Sequence, residues 1–293
     1  MANINAQDLL SVRDMVVCIT GGGTGIGRMM TTAFATNGAK RVYILGRRRE
    51  KLDETASLAP HIIVPVVCDV TSNPSLLEAA ERIEKETGYL NLLCCNSGTM
   101  PPALEAKSGA PLHEYRQACL ASDPSEWAQT FATNTTSIFY TTFAFLALLD
   151  AGNKGENCSP GRKSQVLVTT SIAGYSRLPG TLGAYPASKA AATHLIKQLA
   201  GSLVPYSIRV NGLAPGLFPS ELAAGIIAMG GKGEKEATEE GAFEKNFVPA
   251  ERLGKAEDMV GTVLYMASAA GAYLNGNITV LDGGRITQLP ATY

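Results

Sequence analysis

Seven short runs of apolar and β-branched residues punctuate this chain, at 15–19, 42–45, 62–68, 92–95, 166–170, 207–212 and 277–281. Helical patterns lie between them at about 25–38, 74–87, 125–149, 185–203 and 255–269. A strand that is apolar at every position, rather than at alternate ones, has to be covered on both faces. Strands of that kind separated by helices build a parallel sheet with helices packed on its two sides. The expected fold is therefore α/β, a doubly wound parallel sheet of about seven strands with helices on both faces. No linker or shift of composition divides residues 1–293, so a single domain is expected. Three irregular segments, 99–124, 151–164 and 217–250, are longer than most connections, and long loops in a compact domain tend to border functional sites.

Charge and cysteine usage narrow the function classes. A formal net charge of −1, with both signs dispersed, argues against a general nucleic-acid or membrane surface. The six cysteines (Cys18, Cys68, Cys94, Cys95, Cys119, Cys158) show no C-x-x-C spacing and sit mostly in apolar runs, which reads as reduced core thiols. His61, His113 and His194 have no partners at triad or metal spacing, so no metal site is expected. The first residues lack a signal-peptide pattern and no apolar stretch is long enough to span a bilayer; the expected setting is the cytoplasm.

Between the first strand and first helix lies Thr20-Gly21-Gly22-Gly23-Thr24-Gly25-Ile26-Gly27. Glycines there permit a tight turn, close approach of backbone to a pyrophosphate, and close packing of helix on strand. The spacing is T-G-x-x-x-G-x-G rather than G-x-G-x-x-G. It is not a Walker A loop either, because Arg28 and Met29 stand where Lys and Ser/Thr would be needed.

The second motif is Tyr185-Pro186-Ala187-Ser188-Lys189, with Ser171 upstream. Residues four apart near a helix start project from one face, a turn apart. A phenol with a pKa of ~10 is a poor proton donor or acceptor at neutral pH, and an ammonium beside it favours the phenolate. The hydroxyl of Ser171 is placed to hold a substrate oxygen. Pro186 is tolerable only in the first helical turn, which fixes Tyr185 at the helix start.

With both motifs in order, the chain resembles the short-chain dehydrogenase/reductase family over about residues 13–285, which implies a single-domain Rossmann-type sheet. The resemblance implies that Gly21, Gly23, Thr24, Gly25, Ile26 and Gly27 form the cofactor turn and that Asp69 and Val70 lie beside the adenine. Asn96, Ser97 and Gly98, after Cys95, stand where the family usually has Asn-Asn-Ala-Gly. Asn134, Ser171, Tyr185 and Lys189 fall where the catalytic tetrad belongs. Asn211, Pro215 and Gly216 match the segment flanking the nicotinamide, with Phe218 and Ser220 completing the cofactor contacts. Asp282, Gly283 and Gly284 match the last strand's end. Cys95 and Ser97 replace an Asn and an Ala, so the central strand has to be braced differently. The resemblance further implies that Tyr185 exchanges a proton with the substrate oxygen. Lys189 binds the nicotinamide ribose and lowers the Tyr pKa, and Asn134 holds a relay water. Residues 215–221 also resemble rhamnolipid-type 3-oxoacyl reductases.

Where an NAD-binding fold usually carries an acidic residue, the second strand runs into Gly46-Arg47-Arg48-Arg49. Cationic forks at that position suit a 2′-phosphate, so the expected cofactor is NADP(H), held by Arg47 first and Arg48 second, with Arg28 assisting. The segment 217–250 is expected to be a substrate lid. Leu217, Leu222, Ile226, Ile227 and Met229 would give it an apolar wall, and a mobile Gly- and charge-rich half around Lys232 and Glu234 would follow. Helices at about 125–149 and 185–203 are apolar nearly all round, which fits a homodimer or homotetramer better than helices tucked under loops. The expected activity is NADPH-dependent reduction of a medium or large apolar ketone, or the reverse oxidation. A non-redox cyclase or dehydratase and a cofactor-sensing protein on the same scaffold remain open alternatives.

Overall fold

Every residue of Val16–Thr20 (β1) is buried, and the rest of the sheet is laid out from this strand. The structure, a computed structural model, describes residues 5–101, 108–157, 161–231, 233 and 235–292. Cys158, Lys232, Glu234 and the side chain of Met229 lie outside the described residues. Following the short helix Ala6–Leu9 (α1) and β1 come α2 (Gly25–Thr36), β2 (Arg41–Gly46), α3 (Arg49–Ala56), β3 (Ile63–Val67), α4 (Asn73–Glu86) and β4 (Leu92–Cys95). The middle of the chain supplies α5 (Leu112–Leu120), α6 (Pro124–Phe131), α7 (Ser137–Ala144), α8 (Leu146–Ala151) and β5 (Gln165–Thr169). It ends with α9 (Ala184–Ser202), β6 (Arg209–Pro215), α10 (Ala224–Gly230), α11 (Ala256–Ala267) and β7 (Ile278–Leu281).

The seven strands form one parallel sheet in the order β3-β2-β1-β4-β5-β6-β7. Strands β1, β4, β5 and β6 are buried throughout, whereas the edge strands β3 and β7 are only partly covered. That is the pattern expected of continuous apolar runs in a two-sided sheet. Alternation along β1 sends Val16 and Cys18 into a core layer with α4, α8 and α9, and Val17 and Ile19 into the opposite layer with α2 and α11. Successive strands are added toward one edge up to β3 and toward the other from β4 on, and the crevice beyond the C-terminal ends of β1 and β4 is where ligands bind in such folds.

Thr20 and Asn96 hold that crevice in shape. The Thr20 hydroxyl accepts the N–H groups of Asn96 (2.9 Å) and Ser97 (3.0 Å) and donates to the Cys94 carbonyl. The Asn96 amide donates to Thr20 O at 3.1 Å and accepts the Thr169 hydroxyl at 3.1 Å. One side-chain pair therefore ties the ends of β1, β4 and β5. Cys95 points instead into the core, where burial pushes its thiol up to about 12, and the substituted Cys95 and Ser97 leave the brace to Thr20 and Asn96.

Two expected elements differ. The helix expected at 125–149 is broken into α6, a π turn at Ala132–Thr136, α7 and α8. The extra residue of the π turn carries Asn134, whose side chain accepts Thr99 N–H at 2.8 Å and donates to Thr99 O at 2.9 Å. Such bulges occur where a helix has to present one side chain out of register. The expected irregular segments at 99–124 and 217–250 contain α5 and α10. The later half of segment 217–250 packs through Ala242 and Phe243, together with Leu253 just beyond it, with Leu217, Ile227 and Phe247 against them.

Replacing Thr20 by Val keeps the volume and removes the acceptor shared by two strand-end N–H groups. We expect a loss of about 2 kcal/mol in chemical denaturation; a variant as stable as the parent would show that the brace is dispensable.

Candidate active site

The glycine turn is built by sterics. Gly21 and Gly25 have φ of +66° and +51°, a region that L side chains rarely occupy. A Cβ on Gly27 would stand 2.0 Å from the Gly21 carbonyl oxygen, so α2 can pack this closely on β1 only with hydrogen there. The N-cap residue Thr24 makes no side-chain cap to α2. The first-turn N–H groups of α2 therefore face the crevice without a side-chain cap, and they lack intrahelical partners.

Two connected lobes open beyond the strand ends. One, of about 390 Å³, is lined by Gly21, Gly23 and Thr24, by Arg47 and Arg48 after β2, and by Asp69 and Val70 after β3. The other, of about 360 Å³, holds Gly25, Ile26, Gly27, Asn96, Ser171, Tyr185, Lys189, Pro215, Gly216, Phe218 and Ser220. Ser97, Gly98 and Arg48 border both. Every expected cofactor-turn and tetrad residue except Asn134 thus lines the cleft, and Asn134 stands directly behind it. A Cβ on Gly98 would be 3.4 Å from Asn134 Oδ1 and 3.6 Å from Lys189 Nζ. The absence of that Cβ leaves a gap between the two groups.

In the second lobe the Ser171 hydroxyl lies near the Tyr185 phenol and works to lower its pKa. Ser171 Oγ also accepts Ala173 N–H at 3.1 Å, which fixes its direction. Thr170 points away, to Lys189 O and the Thr193 hydroxyl, as strand alternation requires. Lys189 Nζ lies 5.8 Å from the centre of the Tyr185 ring and donates to Thr169 O at 3.0 Å. Burial pulls the Lys189 ammonium down to about 8. Burial likewise pushes the Tyr185 phenol above its ordinary value, and the Ser171 hydroxyl offsets this in part. The expected lowering of the phenol by Lys189 does not emerge: desolvation dominates both groups.

In the first lobe Arg48 is paired with Glu221 of the lid segment at 3.1 Å, while Arg47 has no ion-pair partner among the described residues. Arg47 acts on Asp69, whose carboxyl is held low chiefly by the Thr71 backbone N–H. Arg28 turns away to Glu54 at 2.6 Å and lines neither lobe. Asn211 lies outside the cleft, where it bonds Gln165 and the Leu274 carbonyl. Sequence reasoning missed Lys51 and Thr71 in the first lobe, and Met100, Leu178, Arg285 and Leu289 in the second. Lys51 follows the arginine run closely enough to have been included; the others carry no motif. Among the described residues no cluster of metal-ligating side chains occurs, and no helix is long and apolar enough to cross a membrane.

Residues 15–229 match the short chain dehydrogenase family. The chain is 45% identical over 291 residues, 98% of this chain and 97% of the other, to the short-chain dehydrogenase/reductase PhomF of Diaporthe leptostromiformis. It is 31% identical over 276 residues, 94% of this chain and 97% of the other, to the rhamnolipids biosynthesis 3-oxoacyl-(acyl-carrier-protein) reductase of Pseudomonas aeruginosa. Among solved structures it is similar to the Pseudomonas aeruginosa RhlG/NADP active-site complex, with a TM-score of 0.76, 30% identity, and coverage of 95% of this chain and 99% of that one. The chain belongs to the short-chain dehydrogenase/reductase family, oxidoreductases that act on CH–OH and C=O groups.

The Lys189 shift has a sign that can be checked. Its pKa falls from 10.5 unfolded to about 8 folded, so the unfolded chain binds the extra proton between these values. Stability then rises with pH across that window. Relative to Lys189→Met, the parent protein should gain about 2 kcal/mol between roughly pH 7 and pH 9.5 in denaturation experiments. A difference that stays flat with pH would mean that the ammonium is not desolvated.

Proposed function

We propose that the protein is a cytoplasmic, NADPH-dependent reductase of a medium or large apolar ketone, with the reverse oxidation available to it. The observation that carries this reading is the grouping of Ser171, Tyr185 and Lys189 in one lobe that Met100, Leu178, Leu217 and Leu222 also line. The uncapped start of α2 and the glycine turn fit a dinucleotide pyrophosphate, and Arg47 fits a 2′-phosphate. Gly98, Pro215, Gly216, Phe218 and Ser220 would hold the nicotinamide end. Bound there, the nicotinamide supplies a hydride to the carbonyl carbon.

The residues of the chain do the rest. Ser171 holds the carbonyl oxygen by a hydrogen bond and steadies the negative charge that forms on it. Tyr185 gives its phenolic proton to that oxygen, and a phenol kept protonated by burial is ready to act as the acid. Lys189, with its pKa brought down to about 8, can return a proton near neutral pH. The gap beside Gly98 suits a water between Lys189 Nζ and Asn134 Oδ1, whose Nδ2 donors are already committed to Thr99 O and the Ser188 hydroxyl. The NADP complex of the 30% identical neighbour and the loss of any carboxylate at the end of β2 support NADPH over NADH.

A homo-oligomer is part of the proposal. Phe139, Tyr140 and Phe143 on α7 form a cluster of ring contacts, yet each is more than 40% exposed in the single chain. An apolar face of this kind is normally covered by a second subunit. Sedimentation velocity should show a dimer or tetramer that Phe143→Lys dissociates; a monomeric parent protein would remove this element.

The function is tested by following NADPH absorbance against a panel of apolar ketones. Tyr185→Phe should lower kcat/KM by about 100-fold to 10,000-fold with NADPH binding retained. Arg47→Ser should raise KM for NADPH by about 10-fold or more and leave that for NADH unchanged. Turnover independent of Tyr185 would overturn the reductase reading; a preference for NADH in the parent protein would overturn the cofactor assignment.

A further inference from the structure

The second lobe has apolar lining from Met100, Leu178, Leu217, Leu222 and Leu289, and it contains a third cation besides Lys189 and Arg48. That cation is Arg285, directly after β7. Lys189 is engaged by the Thr169 carbonyl and Arg48 by Glu221. Arg285 has no carboxylate within ion-pair distance among the described residues. The nearby acid, Asp282, spends its two oxygens on the N–H groups of Gly284 and Ile286. Burial lowers the Arg285 guanidinium below its ordinary value, and the charge of Asp282 offsets this only in part.

Its position is fixed rather than loose. Gly283 and Gly284, with φ of +61° and +84°, turn the chain back under the lid after β7. The Gly283 carbonyl accepts Ala250 N–H at 3.0 Å, which joins this turn to the lid. The guanidinium lies 4.0 Å from the centre of the Phe247 ring, and its Nη1 donates to the Phe247 carbonyl at 2.6 Å. Stacking uses the face of the guanidinium and Nη1 uses one corner. Nε and Nη2 have no protein acceptor among the described residues, and neither is sealed from solvent. An edge of that geometry is a fork for a carboxylate.

We propose that Arg285 anchors an anionic group of the substrate, so that the natural ligand is an apolar keto acid whose carboxylate meets Arg285 while its ketone meets Ser171 and Tyr185. This rests on the reductase reading for the ketone end. The anchor itself is a binding claim. A role confined to pinning the lid would be met by the Phe247 stack and Nη1 alone, and would leave the free edge without purpose.

The test is equilibrium binding to the NADPH-saturated protein by titration calorimetry, using decanoate and its neutral counterpart decanamide, which needs no turnover. The parent protein should bind decanoate about 10-fold to 100-fold more tightly than decanamide, the range of one charge-assisted hydrogen-bonded pair. Arg285→Met should abolish that preference with decanamide affinity kept, and Arg285→Lys should restore part of it. NADPH affinity should be the same in all three proteins. The proposal is overturned by absent decanoate binding or no preference in the parent protein. It is also overturned by equal weakening of both ligands in Arg285→Met, which would mark a lid anchor, or by weakened NADPH, which would mark a cofactor contact. Loss of the reductase reading would show instead as turnover indifferent to Tyr185→Phe, with the binding preference intact.

Discussion

The hydroxyl of Thr20, shared between the N–H groups of Asn96 and Ser97, is the contact on which the site's geometry depends. It sits where β1 and β4 part, which is the only place in a doubly wound sheet where two adjacent strands open a crevice. With Asn96 reaching back to Thr20 O and across to Thr169, three strand ends become one rigid edge. Thr169 in turn offers its carbonyl to Lys189, so the brace extends to the ammonium beside Tyr185. The glycine turn, the first lobe and the Tyr185/Lys189 pair all hang from that edge.

Desolvation is the second organising force. The strand ends bury Lys189 and cover much of Tyr185, and burial moves their proton affinities apart, the phenol upward and the ammonium downward to about 8. Both shifts favour neutral forms. This differs from the simple expectation of an ammonium that stabilises a phenolate: the phenol is kept protonated, while the amine titrates closer to neutral pH than an ordinary lysine. The Ser171 hydroxyl pulls the phenol back only in part.

The sheet was legible in the sequence because two-sided burial leaves an unbroken apolar signature, as in β1, β4 and β5. The glycine turn and the Tyr185/Lys189 pair were legible because sterics and side-chain direction restrict which residues can stand there. What was hidden depends on tertiary contact. The π turn at Asn134 looks like ordinary helix in sequence, since tertiary contacts, to the Thr99 backbone and the Ser188 hydroxyl, hold that residue out of register. Helix α3 was hidden by its polarity, for Arg49 and Asp53 pair on its surface and few side chains reach the core. Arg285 follows a recognisable Asp-Gly-Gly turn, but its approach to the cleft requires the lid to fold over it. Arg28 and Arg48 show the converse: adjacency in sequence to phosphate-binding elements, with Glu54 and Glu221 already holding them in space.

The central claim is that the braced strand ends present one continuous dinucleotide cleft with a phosphate end at Arg47 and a reacting end at Tyr185. A crystal structure of the NADP⁺ complex tests it directly. The account predicts the 2′-phosphate against Arg47, the pyrophosphate over the first turn of α2, and the nicotinamide beside Tyr185 and Ser220. A dinucleotide bound in the reverse sense, or one that leaves the lobe of Ser171 and Tyr185 untouched, would contradict it.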